Sequence, residues 1–231
     1  VPESWASDFR SLQIGNGGSI MARTTSEQFL LGSNNYYDGS WKYLTTAQAS
    51  QINQNNGIFD FKVAASGSAD AAITWTTAMT IDNNGIITKP VQPAFSAKLS
   101  TTTNNLAVSG TPPTILFNTE IFDNNSDFNT GTYTFTAPVT GRYNLSSNLY
   151  LVNLDTAAGY VQMELITSNR QYYYITTPNA YDLDMLYRTQ NISVLADMDA
   201  SDTAYVRLRI TGGTAQTDVD PGSYFSAHLV C

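Results

Sequence analysis

Three pairs of aspartates stand two residues apart: Asp182 and Asp184, Asp197 and Asp199, Asp218 and Asp220. In an extended chain such neighbours share a face at about 6.5–7 Å, and glycosidases need two carboxylates about 5–9.5 Å apart, so spacing alone permits glycan cleavage. The contexts read otherwise. The pairs lie in turn-like surroundings, where aspartate hydrogen-bonds its own backbone. No internal repeat of the kind that builds a long parallel β-helix accompanies them. The single histidine, His228, could act as a general base near neutral pH. It lies mid-strand in Phe225-Ser-Ala-His-Leu-Val with no nucleophile-elbow motif, which favours a structural or interface role. The single cysteine, Cys231, excludes an intrachain disulfide framework and a cysteine-rich zinc site, and reads as a passive thiol. We assign no catalytic residue and expect a protein that is not an enzyme.

Two loops carry clustered oxygen donors, Asp123-Asn-Asn-Ser-Asp127 and Asp197-Met-Asp-Ala-Ser-Asp202. Hard oxygen ligands suit Ca²⁺, but neither loop has the EF-hand spacing, and ordinary turn chemistry accounts for both. The metal assignment is left open. The strongest recognition signal is tyrosine. Tyr172-Tyr-Tyr174, Tyr181 and Tyr187 crowd a stretch with Asn169, Asn179, Asp182 and Asp184. Tyrosine supplies rigid amphipathic contact area, while Asn and Asp supply directional hydrogen bonds, a mix suited to a sugar or protein receptor. The candidate contact set is Tyr172, Tyr174, Asn179, Tyr181, Asp182, Asp184 and Tyr187. Alternation turns at least one of the three consecutive tyrosines inward, and core or intersubunit packing could absorb the others.

The frame that must position these residues is set by composition. Of 231 residues, 42% are hydrophobic and only 13% charged, with 11 Lys+Arg against 19 Asp+Glu for a net charge of −8. The apolar fraction supports a packed core, and the acidic balance argues against nucleic acid, whose phosphates need clustered cations. No apolar run approaches the roughly 20 residues of a membrane-spanning helix, so no membrane insertion is expected. The chain begins at Val1, without an initiator Met or the basic and apolar regions of a secretion signal, which reads as a fragment or processed product. Its polar surface is Ser, Thr, Asn, Gln and Gly rather than Lys and Glu, and no long stretch has a 3.6-residue apolar period. The whole chain reads as all-β.

Short strands punctuated by Asp38-Gly39, Asn56-Gly57 and Asp82-Asn-Asn-Gly85 fill residues 1–90. Ile73 to Ile81 is expected as one strand, with Ile73, Trp75, Met79 and Ile81 on one face. Thr45 to Gln54 is polar and β-poor, and is left open between a loop and a short helix. This region carries too little apolar surface to close a core alone, and is better suited to identical chains sharing one around a common axis. Lys89-Pro-Val-Gln-Pro93 is the expected boundary. Over 91–231 strict alternation appears, with Tyr143, Leu145, Leu149 and Leu151 on one face, and Val206, Leu208 and Ile210 opposite Tyr205, Arg207 and Arg209. Such strands suggest a sandwich or jelly roll.

Phe117, Asp123, Phe128, Phe135, Gly141 and Tyr143 stand at the spacing of a known motif, and this half resembles the globular head of the complement first component's recognition subunit, a jelly roll related to the tumour-necrosis-factor fold. Pro93-Ala-Phe-Ser-Ala97 is similar to its opening strand and Ser223-Tyr-Phe-Ser-Ala-His-Leu-Val230 to its closing one, with Ala227 in place of the usual Gly. The motif's end departs, with Leu145 where Phe is usual and Ser147 where Phe or Tyr is usual. The resemblance implies a jelly-roll β-sandwich, a homotrimer, core roles for the three phenylalanines and, as an option, Ca²⁺ near the trimer axis. Gly141 is expected to serve a tight turn. Residues 30–44 and 72–87 resemble segments of bacteriophage tail-fibre proteins, which implies a trimeric shaft-like region before a distal head.

Taken together, the expectation is a trimeric fibre or adhesin of a bacterial virus. It would sit on the virion, act extracellularly, contact other virion proteins and recognise a host-surface glycan or protein through its head. The alternative is a structural decoration, neck or tail component whose head registers the trimer.

Overall fold

A computed structural model describes residues 5–231. The chain divides into two compact units between Val91 and Gln92, within the Lys89–Pro93 stretch. Both units are built of β-strands; among the described residues the helical structure is a single 3₁₀ turn at Pro178–Ala180.

The first unit contains β1 (Phe9–Ile14), β2 (Gly18–Arg23), β3 (Phe29–Ser33), β4 (Asn35–Tyr37), β5 (Trp41–Tyr43), β6 (Ala47–Asn55), β7 (Ile58–Gly67), β8 (Thr76–Ile81) and β9 (Ile87–Thr88). Seven of them form one antiparallel sheet in the order β1-β2-β3-β6-β7-β8-β9, and β4 and β5 pair as a separate hairpin. The Asn56-Gly57 turn joins β6 to β7 with both φ angles positive, at 51° and 78°, as a two-residue hairpin turn requires. The hairpin packs on one face of the sheet. Phe9, Met21 and Leu30 are buried there against Tyr37 and Trp41, and Tyr43, Ala49 and Ala64 are buried against Ile73 and Trp75. Asn34 fixes the approach: its amide donates to the Thr45 and Gln48 carbonyls at 3.1 and 2.9 Å, and its oxygen accepts the Thr45 N–H at 2.7 Å.

Two expectations are corrected here. The undecided segment 45–54 is mostly strand β6, paired on both edges with β3 and β7. Its Gln51 and Asn53 side chains are buried on the hairpin face, where Asn53 accepts a hydrogen bond from Gln28 at 2.8 Å and donates one to Asp60 at 3.2 Å. Pairing on both sides overrides weak β propensity. Of the expected strand 73–81 only Thr76–Ile81 is strand: the Ile73 N–H donates to the Trp41 carbonyl of β5 at 2.8 Å, and within β8 a bulge sets Phe61 opposite Met79 and Lys62 opposite Thr77, leaving Ala78 unpaired. Ile73 and Trp75, outside β8 and next to the hairpin, join the hairpin-side core, whereas Met79 and Ile81 share the opposite face with Phe61 and Phe59.

The second unit contains β10 (Ala94–Lys98), β11 (Thr119–Asp123), β12 (Phe128–Asn129), β13 (Thr134–Thr136), β14 (Gly141–Leu154), β15 (Tyr160–Thr167), β16 (Gln171–Thr176), β17 (Met185–Met198), β18 (Thr203–Thr211), β19 (Asp218–Val219) and β20 (Tyr224–Leu229). They make two antiparallel sheets, β11-β10-β20-β14-β17 with β19 beside β14, and β12-β13-β18-β15-β16. Non-consecutive neighbours in both sheets are the signature of a jelly roll. The alternating apolar faces of β14 and β18 are buried between the sheets, as their period of two dictates.

An aromatic cluster anchors this core. Phe95 stacks on Phe128 and Phe135 at 4.5 and 5.1 Å between ring centroids and meets Phe225 edge-on at 5.1 Å. Phe117 reaches Phe225, and Tyr143 packs on Phe135 while its hydroxyl donates to the Val139 carbonyl at 2.8 Å. Ser147, where an aromatic was usual, is buried and donates to the Tyr224 carbonyl at 2.7 Å, so its hydroxyl costs little. Gly141 serves a different need from the expected turn. It opens β14, and a Cβ there would lie 2.6 Å from Leu229 Cδ1 and 2.7 Å from the Cys231 carbonyl oxygen. The requirement is close approach of the C-terminal backbone.

Candidate functional site

The loops with clustered carboxylates resolve into turn chemistry. Asp123 accepts the backbone N–H groups of Asn125, Asp127 and Phe128, the last at 2.8 Å. Asp202 accepts the Asp199 N–H at 2.9 Å and the Asn169 amide at 2.7 Å, while Asp197 lies 3.6 Å from Arg170. Among the described residues, no three His, Cys, Asp or Glu side chains gather as a metal site. The optional calcium loops thus spend their oxygens on their own backbone and neighbouring side chains. The paired aspartates are similarly engaged: Asp218 accepts the Asn105 N–H at 2.8 Å and Asp220 the Gly222 N–H at 3.0 Å. His228 is exposed on β20, opposite Asn144 of β14 and Ala94 of β10.

The tyrosine-rich stretch runs from the edge strand of one sheet to the edge strand of the other, and its members part company. Tyr172 and Tyr174 lie on the core-facing side of β16, opposite Leu165 and Met163, with Tyr172 packed against the core and Tyr174 partly exposed at the sheet edge. Asn179, Tyr181 and Asp182 are exposed in the connection that follows. Asp184 accepts both the N–H and the hydroxyl of Thr156 at 2.8 Å and the Gln216 amide at 2.7 Å. These bonds, the Thr156 backbone bond first, hold its carboxyl below the usual carboxylate range. Asp184 borders a polar concavity of about 350 Å³ with Asn105, Asn153, Leu186, Gln216 and Asp218. Tyr187 is 62% exposed on the outward side of β17, its ring stacked on Tyr150 of β14 at 5.8 Å. The structure therefore joins Tyr187 to Tyr150 and Asp184 to Gln216, and does not gather the seven candidates into one pocket.

Three features escaped the sequence reading. Tyr150 alternates with the apolar residues of β14, but its pairing with Tyr187 depends on long-range register. The outward face of the same sheet carries Ser96, Ser226, Ser146 and Ser193 in one row across β10, β20, β14 and β17. Such small side chains let another surface approach closely. On the other sheet, fully buried Glu164 of β15 accepts Nε–H bonds from Arg207 and Arg209 of β18, the second at 2.9 Å. Burial alone would raise its carboxyl; the Arg209 and Arg207 bonds outweigh that and hold it below its ordinary value.

Two sheets in this strand order, closed over an aromatic core, define a jelly-roll module. The chain belongs to the C1q domain family: the model of that domain matches residues 94–230. Among solved structures, the globular domain of zebrafish complement 1qA protein is similar, at 15% identity over 61% of this chain and 98% of that one, with a TM-score of 0.41. Murine APRIL is similar at 10% identity over 60% and 99% of the two chains, with TM-scores of 0.43 at pH 5.0 and 0.44 at pH 8.0. No curated protein matches the chain. C1q/TNF-like domains form homotrimers, bind receptors, and are typically non-enzymatic ligand-binding or structural modules.

Proposed function

We propose that this chain is a trimeric fibre adhesin of a bacterial virus, acting extracellularly from the virion, whose C1q-type unit recognises a host-surface glycan or protein. The observation that carries the reading is the exposed aromatic and acidic surface between β16 and β17, with Tyr181 and the Tyr187–Tyr150 pair presented outward. Aromatic faces beside fixed carboxylates and amides are the chemistry that holds a sugar ring. The likeness of residues 30–44 and 72–87 to tail-fibre segments supports the viral setting and a shaft role for the first unit. A shallow site binds near millimolar, about −4 kcal/mol, and three copies on one tip raise avidity by roughly 10²–10⁴ without new contacts. Purified protein should adsorb to host cells and compete with intact virus; absence of competition at saturation refutes the adhesin role.

One observation favours a second reading, a structural decoration that registers a trimer. Asp184 is committed to Thr156 and Gln216 within its own chain, which uses part of the candidate surface for loop architecture. Under that reading, replacing the exposed tyrosines leaves infection intact while removing the C1q unit abolishes assembly.

A further inference from the structure

Among the described residues, one sheet face of the first unit lacks a partner. The hairpin side is covered by β4 and β5, but on the opposite side Leu12, Ile20, Leu31, Ile52, Phe61 and Met79 form one continuous row, directly opposed across β1, β2, β3, β6, β7 and β8. A flanking row adds Phe29, Phe59, Ile81 and Ile87. Leu12 is 60% exposed, Leu31 40% and Ile87 58%. Seven strands about 4.8 Å apart and about five residues long give a face of roughly 500 Å², at the upper end of what monomers leave open. Two shallow hollows of about 390 and 320 Å³ indent it, one around Leu31, Ile52 and Phe61 and the other around Leu12, Ile20 and Phe29.

We infer that this face is the shared core of a three-chain assembly, in which the sheets of three copies pack apolar face inward around a common axis and complete the unit. The inference rests on the trimeric reading and names the surface that the first unit contributes to it. Two features select a copy of the same chain over another partner. The C1q unit belongs to a family that forms homotrimers, and β9 ends at Thr88 while β10 begins at Ala94. Five intervening residues span at most about 18 Å, so three joined C1q units hold three such faces at an effective concentration in the millimolar range. Three such faces bury about 500 Å² in each of three contacts, less than the roughly 1,000 Å² of a free-standing interface, so the faces assemble only because the joined C1q units hold them together. The hollows accept the projecting side chains of the neighbouring sheet, as interdigitating sheets require.

The test is hydroxyl-radical labelling of the intact, unmodified chain, with its mass measured by sedimentation in the same buffer. The expected result is a trimer in which Leu12, Leu31 and Ile87 label several-fold more slowly than in the urea-unfolded chain. A trimer whose face labels freely overturns the inference and leaves the trimeric reading standing. A monomer overturns both, and protection in a particle of one chain's mass overturns the inference by pointing to a different cover. A second measurement uses Leu31→Asp. With the C1q units still trimeric, limited proteolysis should cut within β1–β9 and spare residues 94–230. Unchanged resistance in the first unit contradicts a shared core at this face.

Discussion

The Asp123 carboxylate accepts the Phe128 backbone N–H at 2.8 Å, and the Phe128 ring stacks 4.5 Å from Phe95. An acidic loop residue thereby sets the position of a core aromatic. This accounts for the five-residue spacing of Asp123 and Phe128 in this chain: the side-chain oxygen closes the loop, and the loop delivers the ring. Asp123→Ala leaves the Phe128 N–H without its partner and should cost about 1.5–3 kcal/mol. Thermal unfolding of the C1q unit should shift down by roughly 3–12 °C, with Asp123→Asn retaining most of the stability.

Gly141 stands where the chain's last backbone carbonyl passes too close for a side chain. Gly141→Ala forces Leu229 and Cys231 outward and should cost about 1–3 kcal/mol, the usual range for overpacking. Chemical denaturation should show this as a lower midpoint with an unchanged slope. A neutral substitution would mean that β20 yields more easily than its pairing with β14 suggests.

Glu164 predicts a pH dependence. Its carboxyl is held below its ordinary value in the folded chain, so the unfolded state binds the proton more readily. Its contribution is present above the unfolded value and is lost as pH falls through the lower folded value. Stability should therefore fall on acidification from about pH 5 downward. Glu164→Gln removes the charge that Arg207 and Arg209 share, should cost about 1–3 kcal/mol at neutral pH, and should flatten the acid limb of the curve. An acid limb of unchanged steepness would assign that dependence to other carboxylates.

Tyr187 separates recognition from packing. Its exposed ring touches Tyr150 but not the core cluster, so Tyr187→Ala should leave thermal unfolding nearly unchanged. If the surface binds host glycan, losing one aromatic contact of about 1.4 kcal/mol weakens each site about tenfold, and multivalent adsorption of virus or trimer falls further. Unaltered adsorption by Tyr187→Ala together with Tyr181→Ala would favour the decoration reading.

How much of this was legible in the sequence follows from where each strand finds its cover. β14 and β18 are covered on one face by their own chain, so Tyr143, Leu145, Leu149 and Leu151 alternate plainly and could be read directly. β6 could not, because Gln51 and Asn53 are buried polar residues, and the partners of Asn53, Gln28 just before β3 and Asp60 on β7, lie elsewhere in the chain. Ile73 and Trp75 were placed on the wrong face because the strand begins only at Thr76, with Ile73 bonded to Trp41 of the hairpin, and because the unpaired Ala78 reverses the pattern beyond it. At the candidate site, the tyrosine-rich stretch was visible, but Tyr150, Gln216 and Thr156 enter through register and loop contacts far away in the chain. The uncovered row from Leu12 to Met79 likewise draws one residue from each of six strands, so no single segment announces it.

The most direct test of the account is the solution mass of the intact chain. Sedimentation equilibrium at micromolar concentration should give three times 25.2 kDa, unchanged on dilution into the nanomolar range. A particle of 25.2 kDa at high concentration, with the Leu12-to-Met79 face open to solvent, would contradict it.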